Sequence, residues 1–255
     1  MKIEPTLAQT YKNQDITGWW ASVKLDGVRA VWDGEKFYTR KGHVIHTPDW
    51  FTEGMPDVPL DGELYISCDN FDEISGLVRM TDPRAFGEEW DLMWSWVTYR
   101  VFDLYGGEGS FTSRYDGVLG LIRPSHVKIV HQLPINDVDY MLNDAVSKGY
   151  EGIMLRDPTA PYHHKRTSTL LKYKKTQDMD GTVVGYEDGK GRNEGRVGAL
   201  WVESDGSKYK VGTGLTDEVR TNPPPIGSII TVEYFEITKA GKPRFPVYKG
   251  MRAEQ

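Results

Sequence analysis

The sequence predicts an α+β chain: a mixed domain over residues 1–177, then a small all-β domain over 178–255. Three observations carry this reading. Short alternating apolar segments are separated by turn dipeptides such as Asp33-Gly34 and Asp205-Gly206, whose glycine supplies the positive φ of a tight hairpin. Helical periodicity is confined to a few stretches, without regular βαβ repetition. Beyond the polar run "KKTQDMD" at 174–180, helical periodicity gives way to strands and turns.

In chain order, "GVRAVWDGEKFYTRKG" reads as the first hairpin. A weak helix is expected at 71–79 and a firmer one from Thr112 to Ile122, stopped by Pro124. The clearest helix is 137–148, where Val138, Met141, Leu142, Ala145 and Val146 share a face, with Asn136 as N-cap and Gly149 as the left-handed stop. A strand, "EGIMLRD", follows at once. After 180, the segments "GTVVGYEDG", "RVGALWVES", "SKYKVGTGL" and "SIITVEYFEI" suggest four or five strands closing a small barrel such as the OB-fold. No internal repeat or low-complexity tract interrupts the pattern.

Composition narrows the function. A chain of 255 residues with 38% hydrophobic residues, 8 Trp and 14 Tyr can bury a substantial core. Cys68 is alone, which excludes an intrachain disulfide and a Cys-rich zinc site and fits a reducing compartment. No apolar run reaches the roughly 18 residues of a membrane span, and "MKIEPTLAQT" lacks the apolar core of a secretory leader. A monomer in the cytoplasm, without membrane contact, is the expectation. The net charge of −6 argues against a bulk electrostatic coat on nucleic acid. Two strips run against that average: "HHKRTSTLLKYKK" (163–175) with Lys165, Arg166, Lys172, Lys174 and Lys175, and "GKGRNEGR" (189–196) with Lys190, Arg192 and Arg196. Each is a candidate polyanion contact. His43, His46, His163 and His164 lack a third ligand at metal-site spacing, and Trp90, Trp94 and Trp96 read as core and cleft wall.

Polar groups recur inside or beside apolar strands: Lys24, Asp26 and Arg29 in "KLDGVR", Arg40 in "YTRKG", Asp61 and Glu63 in "DGELYI", Glu151 in "EGIMLR", and Lys172 and Lys174 in "LLKYKK". Together they ask for a shared cleft. Cations neutralise phosphate oxygens, carboxylates hold a divalent metal, and an aromatic such as Phe102 can stack on a base. No G-x-x-x-x-G-K-[ST] loop and no kinase H-R-D or D-F-G set occurs, so a lysine acting as the nucleophile remains. A free lysine of pKa about 10.4 loses its proton at pH 7 at a cost of about 4.6 kcal/mol. Clustered cations and burial lower that cost.

The ordered series "KLDGVR", "YTRKG", "DGELYI", "VFDL", "EGIMLR", "LLKYKK" resembles the motifs of the covalent nucleotidyltransferases, most closely the small ATP-dependent DNA ligases of bacteria and viruses. The likeness covers residues 24 to 252, since "GTGLTDEVR" and "GKPRFPVYKGMR" are similar to the family's OB segments. It implies a nucleotidyltransferase (ATP-grasp-like adenylation) domain followed by an OB-fold. Lys24 would attack the α-phosphate of ATP and carry AMP. Arg29 and Arg40 would contact AMP and then the 5′-phosphate of a nick, Glu63 the ribose and metal, and Phe102 the adenine. Glu151 would bind Mg²⁺, with Mn²⁺ as a substitute; Lys172 and Lys174 would contact the α-phosphate, and Arg244 and Arg252 the pyrophosphate. The implied partner is nicked duplex DNA, its phosphates met by Arg40, Lys165, Arg166, Lys175, Lys190, Arg192 and Arg196. With 23 residues before Lys24, the grip on DNA is expected from these two domains. Asp26 is expected to form the turn. An RNA ligase or capping guanylyltransferase shares the lysine chemistry, and a noncatalytic OB-type nucleic-acid binder would not need Lys24.

Overall fold

The structure is a computed structural model that describes residues 2–81, 87–235, 237–238 and 240–252. Its contacts divide the chain into two units, Met1–Lys174 and Lys175–Gln255. Among the described residues no helix is long and apolar enough to cross a membrane.

The first unit runs β1 (Leu7–Thr10), β2 (Trp20–Lys24), β3 (Val28–Trp32), β4 (Phe37–Thr39), β5 (Val44–Ile45), α1 (Asp49–Thr52), β6 (Leu60–Tyr65), α2 (Phe71–Val78), α3 (Glu88–Ser95) and β7 (Thr98–Leu104). It continues through α4 (Phe111–Leu119), β8 (Val127–Ile129), β9 (Leu133–Pro134), α5 (Val138–Ser147), β10 (Gly152–Arg156) and β11 (Arg166–Lys174). Two sheets result, ordered β1-β11-β10-β2-β9 and β5-β4-β3-β6-β7-β8. All their pairings are antiparallel except β1 with β11 and β7 with β8.

The stretch "KLDGVR" is where the chain leaves one sheet for the other: Lys24 ends β2 in the first, and Arg29 lies in β3 of the second. Gly27 makes the crossing possible, because a Cβ there would run into the carbonyl oxygen of Leu64 on β6 and lie 3.0 Å from Glu63 Cγ. Gly27→Ala is therefore expected to destabilise the chain by about 1–3 kcal/mol, the usual cost of overpacking, seen as a lower urea midpoint.

Aromatic side chains fill the second sheet's core. Phe37, Phe51, Trp94 and Tyr99 are fully buried and meet edge-on or tilted at ring separations of 4.7–5.8 Å. The first sheet packs Ala21, Ile153, Leu155 and Leu171 against Leu142 and Ala145 of α5. That helix matches the expected span, but Asp137 rather than Asn136 is its N-cap, accepting the Tyr140 N–H at 2.9 Å. Gly149, at φ +86°, ends it as expected. α4 starts at Phe111, capped by Ser110, and stops at Leu119. Its expected extension to Ile122 fails because that side chain is 94% exposed, so no burial supports another turn. α1 and α3 are additions to the expected elements. In α3, Trp90 and Trp94 are core residues, whereas Trp96 is 67% exposed and lines neither of the cavities described below.

The second unit comprises β12 (Gln177–Asp188), β13 (Val197–Ser204), β14 (Ser207–Val211), α6 (Asp217–Thr221), β15 (Ile229–Tyr234) and β16 (Val247–Met251). The sheet order is β14-β13-β12-β15-β16, antiparallel throughout. Asp205 and Gly206 turn the β13–β14 hairpin with φ of +48° and +74°. A parallel bridge between Thr213 and Val247 joins the two ends of the order and curls the sheet toward closure around Val183, Leu200, Val202, Ile230 and Val232.

Candidate active site

Strand register assembles the centre of the first unit. Lys24 pairs with Gly152, and Gly152 pairs with Lys174, so one row crosses β2, β10 and β11. Gly152 admits no side chain, since a Cβ would collide with the Tyr173 carbonyl. Glu151, one residue before the row, forms ion pairs with both Lys24 and Lys174. Lys172 lies two residues before Lys174 on β11, opposite Met154.

A cleft of about 210 Å³ opens here. Of the expected residues it gathers Lys24, Arg29, Arg40, Glu63, Phe102, Arg166 and Lys172. Glu151 adjoins it through its ion pair with Lys24, and Lys174 through its ion pair with Glu151. Its apolar lining includes Leu25, Val130, Met154 and Leu170.

Charge within the cleft is unevenly balanced. Arg29 donates Nε and Nη2 to the two oxygens of Asp61 at 2.7 and 2.6 Å, donates Nη2 to the Thr6 carbonyl at 3.0 Å, and lies 4.9 Å over the Phe102 ring. Burial disfavours this cation, but Asp61 outweighs it and holds the guanidinium above its ordinary pKa. Arg40 and Lys172 have no carboxylate partner among the described residues, which leaves positive charge for an anion. Burial, with the repulsion of Lys24 and Arg166, lowers the pKa of Lys172. Arg166 is exposed, donates to the Ala8 carbonyl and also lines the cleft.

Glu63 accepts the Gly27 N–H at 2.9 Å. Burial raises its pKa against the opposing pull of Lys24, that N–H and Arg29, and Asp26 adds repulsion. Asp26 thus acts on the Glu63 carboxylate as well as sitting in the turn. The sign for stability follows: the folded carboxyl keeps a proton that the unfolded chain releases, so its contribution falls as pH rises from the ordinary carboxylate range through the raised value. Glu63→Gln is expected to remove that slope, read as the difference in urea midpoint between variant and wild type from about pH 4 to 7.

Sequence reasoning missed a buried network beside the cleft. Asp61 and Asp103 face each other across β6 and β7 and are 1% and 0% exposed. Asp103 accepts from Arg114 at 2.8 and 3.2 Å and from Arg156 at 2.6 Å, while Asp61 also accepts the Tyr162 hydroxyl at 2.6 Å. Arg156 lines the cleft, 5.9 Å over the Phe102 ring, and burial lowers its pKa with Asp103 opposing. One signal was available: in "TYRVFDL" Asp103 falls on the buried phase of an alternating strand.

Other expected residues are held elsewhere. In the second unit Lys190 and Arg192 are exposed, while Arg196 is tied to Asp217 at 3.3 Å and Asn193 at 3.2 Å. Arg252 pairs with Asp180, and Arg244 lies 5.5 Å over the Phe245 ring. Lys165 is exposed in the first unit, and Lys175 opens the second. Among the described residues no three His, Cys, Asp or Glu converge as a self-sufficient metal cage. A metal shared with substrate phosphates needs only one or two carboxylates, which Glu63 and Glu151 can provide.

The family model of the ATP-dependent DNA ligase domain matches residues 3–174. The chain belongs to the ATP-dependent DNA ligases. A DNA ligase OB-like domain model matches 188–252, so a nucleotidyltransferase domain is followed by an OB-like one. The ligase is 36% identical over 248 residues to a DNA ligase of Haemophilus influenzae, covering 95% of this chain and 90% of that one. It is similar to a solved structure from a study of Lig E DNA ligases, at 32% identity and a TM-score of 0.86 over 99% of this chain and 100% of that one. A Chlorella virus DNA ligase-adenylate structure is 25% identical with a TM-score of 0.55, covering 99% of the ligase and 100% of that chain. The ligase therefore uses ATP, and its activity is DNA ligation.

Proposed function

We propose that the ligase seals nicks in duplex DNA through AMP carried on Lys24. The observation that supports this most is the row Lys24–Gly152–Lys174, which sets one lysine at a cation-rich cleft with Glu63 and Phe102 around it. Glu151 forms an ion pair with Lys24, and a protonated amine cannot attack phosphorus. Once that proton has passed to solvent, Nζ bonds to the α-phosphorus of ATP, the bond to the β-phosphate oxygen breaks, and pyrophosphate departs. Arg40, Arg166 and Lys172 meet the phosphate charge, and Phe102 with Leu25 and Val130 receives the base. Glu63 and Glu151 would hold Mg²⁺ or Mn²⁺, which supplies charge neutralisation at the phosphates. The 5′-phosphate of the nick then takes AMP from Lys24, and the 3′-hydroxyl displaces AMP to close the backbone.

In this reading residues 1–177 perform adenylation and 178–255 form the OB domain, where Arg244 and Arg252 would orient pyrophosphate. Lys165, Lys175, Lys190, Arg192 and Arg196, with Arg40 and Arg166, would meet DNA phosphates without reading sequence, making binding salt-sensitive. A single copy suffices for the reaction.

The test is incubation with Mg²⁺ and α-labelled ATP or GTP, followed by a chase with nicked DNA or nicked RNA. Label at Lys24 from ATP that moves to nicked DNA is the expected result. Folded protein with no label overturns the covalent route; label from GTP alone indicates capping chemistry, and transfer only to RNA indicates an RNA ligase.

A further inference from the structure

A second cavity adjoins the nucleotide cleft and, at about 340 Å³, is the larger of the two. Ser22, Val23, Leu25 and Val130 line both spaces. Leu25 and Val130 are buried and form one small cluster with Tyr65, against which Phe102 and Tyr150 pack. The cavity is further bounded by Ala21 of β2, Ile153 of β10 and Met141 and Ala145 of α5. Its mouth carries Leu133 and Tyr140, which are 57% and 70% exposed.

The lining chemistry selects the occupant. Asp144 is paired with Lys148 at 2.7 Å, and Arg100 gives Nε to Thr98 at 3.0 Å with its guanidinium 5.5 Å over the Tyr65 ring. These charged neighbours are already engaged, and the rest of the wall is mainly aliphatic and aromatic, so an uncharged apolar group fits and an anion does not. The lining of the cleft combines the cations Lys24, Arg40, Arg166 and Lys172 with Phe102, Leu25 and Val130, so a base placed as under the proposed function would lie against the last three. Leu25 and Val130 also line the second cavity, so a base in that position borders it.

We propose that this cavity is a base-side annex of the nucleotide site, taking an uncharged apolar substituent carried on the edge of the purine. The substrate class of the ligase thereby extends to base-substituted adenine nucleotides. The inference rests on the base placement under the proposed function and adds the annex to it.

The test separates the two. Binding of ATP, 2-methylthio-ATP, 8-methylthio-ATP and N6-benzyl-ATP is measured by calorimetry on full-length Lys24→Ala protein, where no adduct can form. At least one analogue is expected within about threefold of ATP, and Met141→Trp, which fills the annex, is expected to weaken that analogue about tenfold or more while changing ATP less than about twofold. Leu133→Trp at the exposed mouth provides the same comparison should Met141→Trp not fold. Exclusion of all three analogues, or equal weakening of ATP and analogue in the filled variants, overturns the annex. Absence of label on wild-type Lys24 overturns the proposed function instead, and is read in a separate assay.

Discussion

Lys24→Ala is expected to abolish the nucleotide adduct and to lower ligation by roughly 10⁴-fold or more, the scale on which enzymes lose rate when the nucleophile itself is removed. Proximity and the cations around the phosphates cannot substitute, because the missing atom forms the bond that conserves the energy of ATP. The fold should tolerate the change. Lys24 sits at the end of β2 with 22% of its side chain exposed, and Glu151 keeps Lys174 as a partner when Lys24 is gone. Intact mass after incubation with ATP and Mg²⁺ reads the adduct, and a thermal melt reads the fold. A folded Lys24→Ala protein that still carries AMP would place the nucleophile elsewhere.

The second large effect concerns stability. Asp103→Ala is expected to cost about 3–5 kcal/mol, because it removes the direct carboxylate partner of two buried guanidiniums and leaves Arg156 only the attraction of Asp61. Arg114 and Arg156 are 3% and 8% exposed, and Asp103 is the acid to which both donate. Arg114 would retain the carbonyls of Gly109 and Ala160 and its contacts with the Phe111 and Tyr162 rings, which compensate little of its charge. Unfolding in urea, followed by tryptophan fluorescence, suits the question, since Trp201 is the single Trp of the OB domain and the other seven lie in the first unit. An unchanged midpoint in Asp103→Ala would show that the network contributes no stability. Loss of Asp103 should also raise KM for ATP, because Arg156 lines the cleft beside Phe102.

Local chemistry explains which elements were legible beforehand. The hairpins at Asp33-Gly34 and Asp205-Gly206 follow from glycine's access to positive φ, and α5 follows from its five-residue apolar face and the Gly149 stop. Its cap was misplaced by one position because Asn136 and Asp137 are equally good capping residues, and only the path out of β9 decides which one faces the free N–H groups. α3 was missed although Trp90 and Trp94 stand four apart on one face, since exposed Leu92, Met93 and Trp96 blur the apolar stripe. The end of α4 depended on Ile122 finding no core to enter.

By itself the sequence determined the residue types of the site and their order along the chain: a lysine, flanking cations, two carboxylates and an aromatic ring, in segments whose alternation makes them strands. Those properties are local, written in spacing and in the chemistry each side chain can perform. Only the tertiary structure decided which charges answer which. The register Lys24–Gly152–Lys174 joins residues more than a hundred positions apart, and it brings Glu151 between two lysines as an ion-pair partner. The same pairing of distant strands buries Asp61 and Asp103 opposite each other, where desolvation leaves them no choice but to hold Arg29, Arg114 and Arg156.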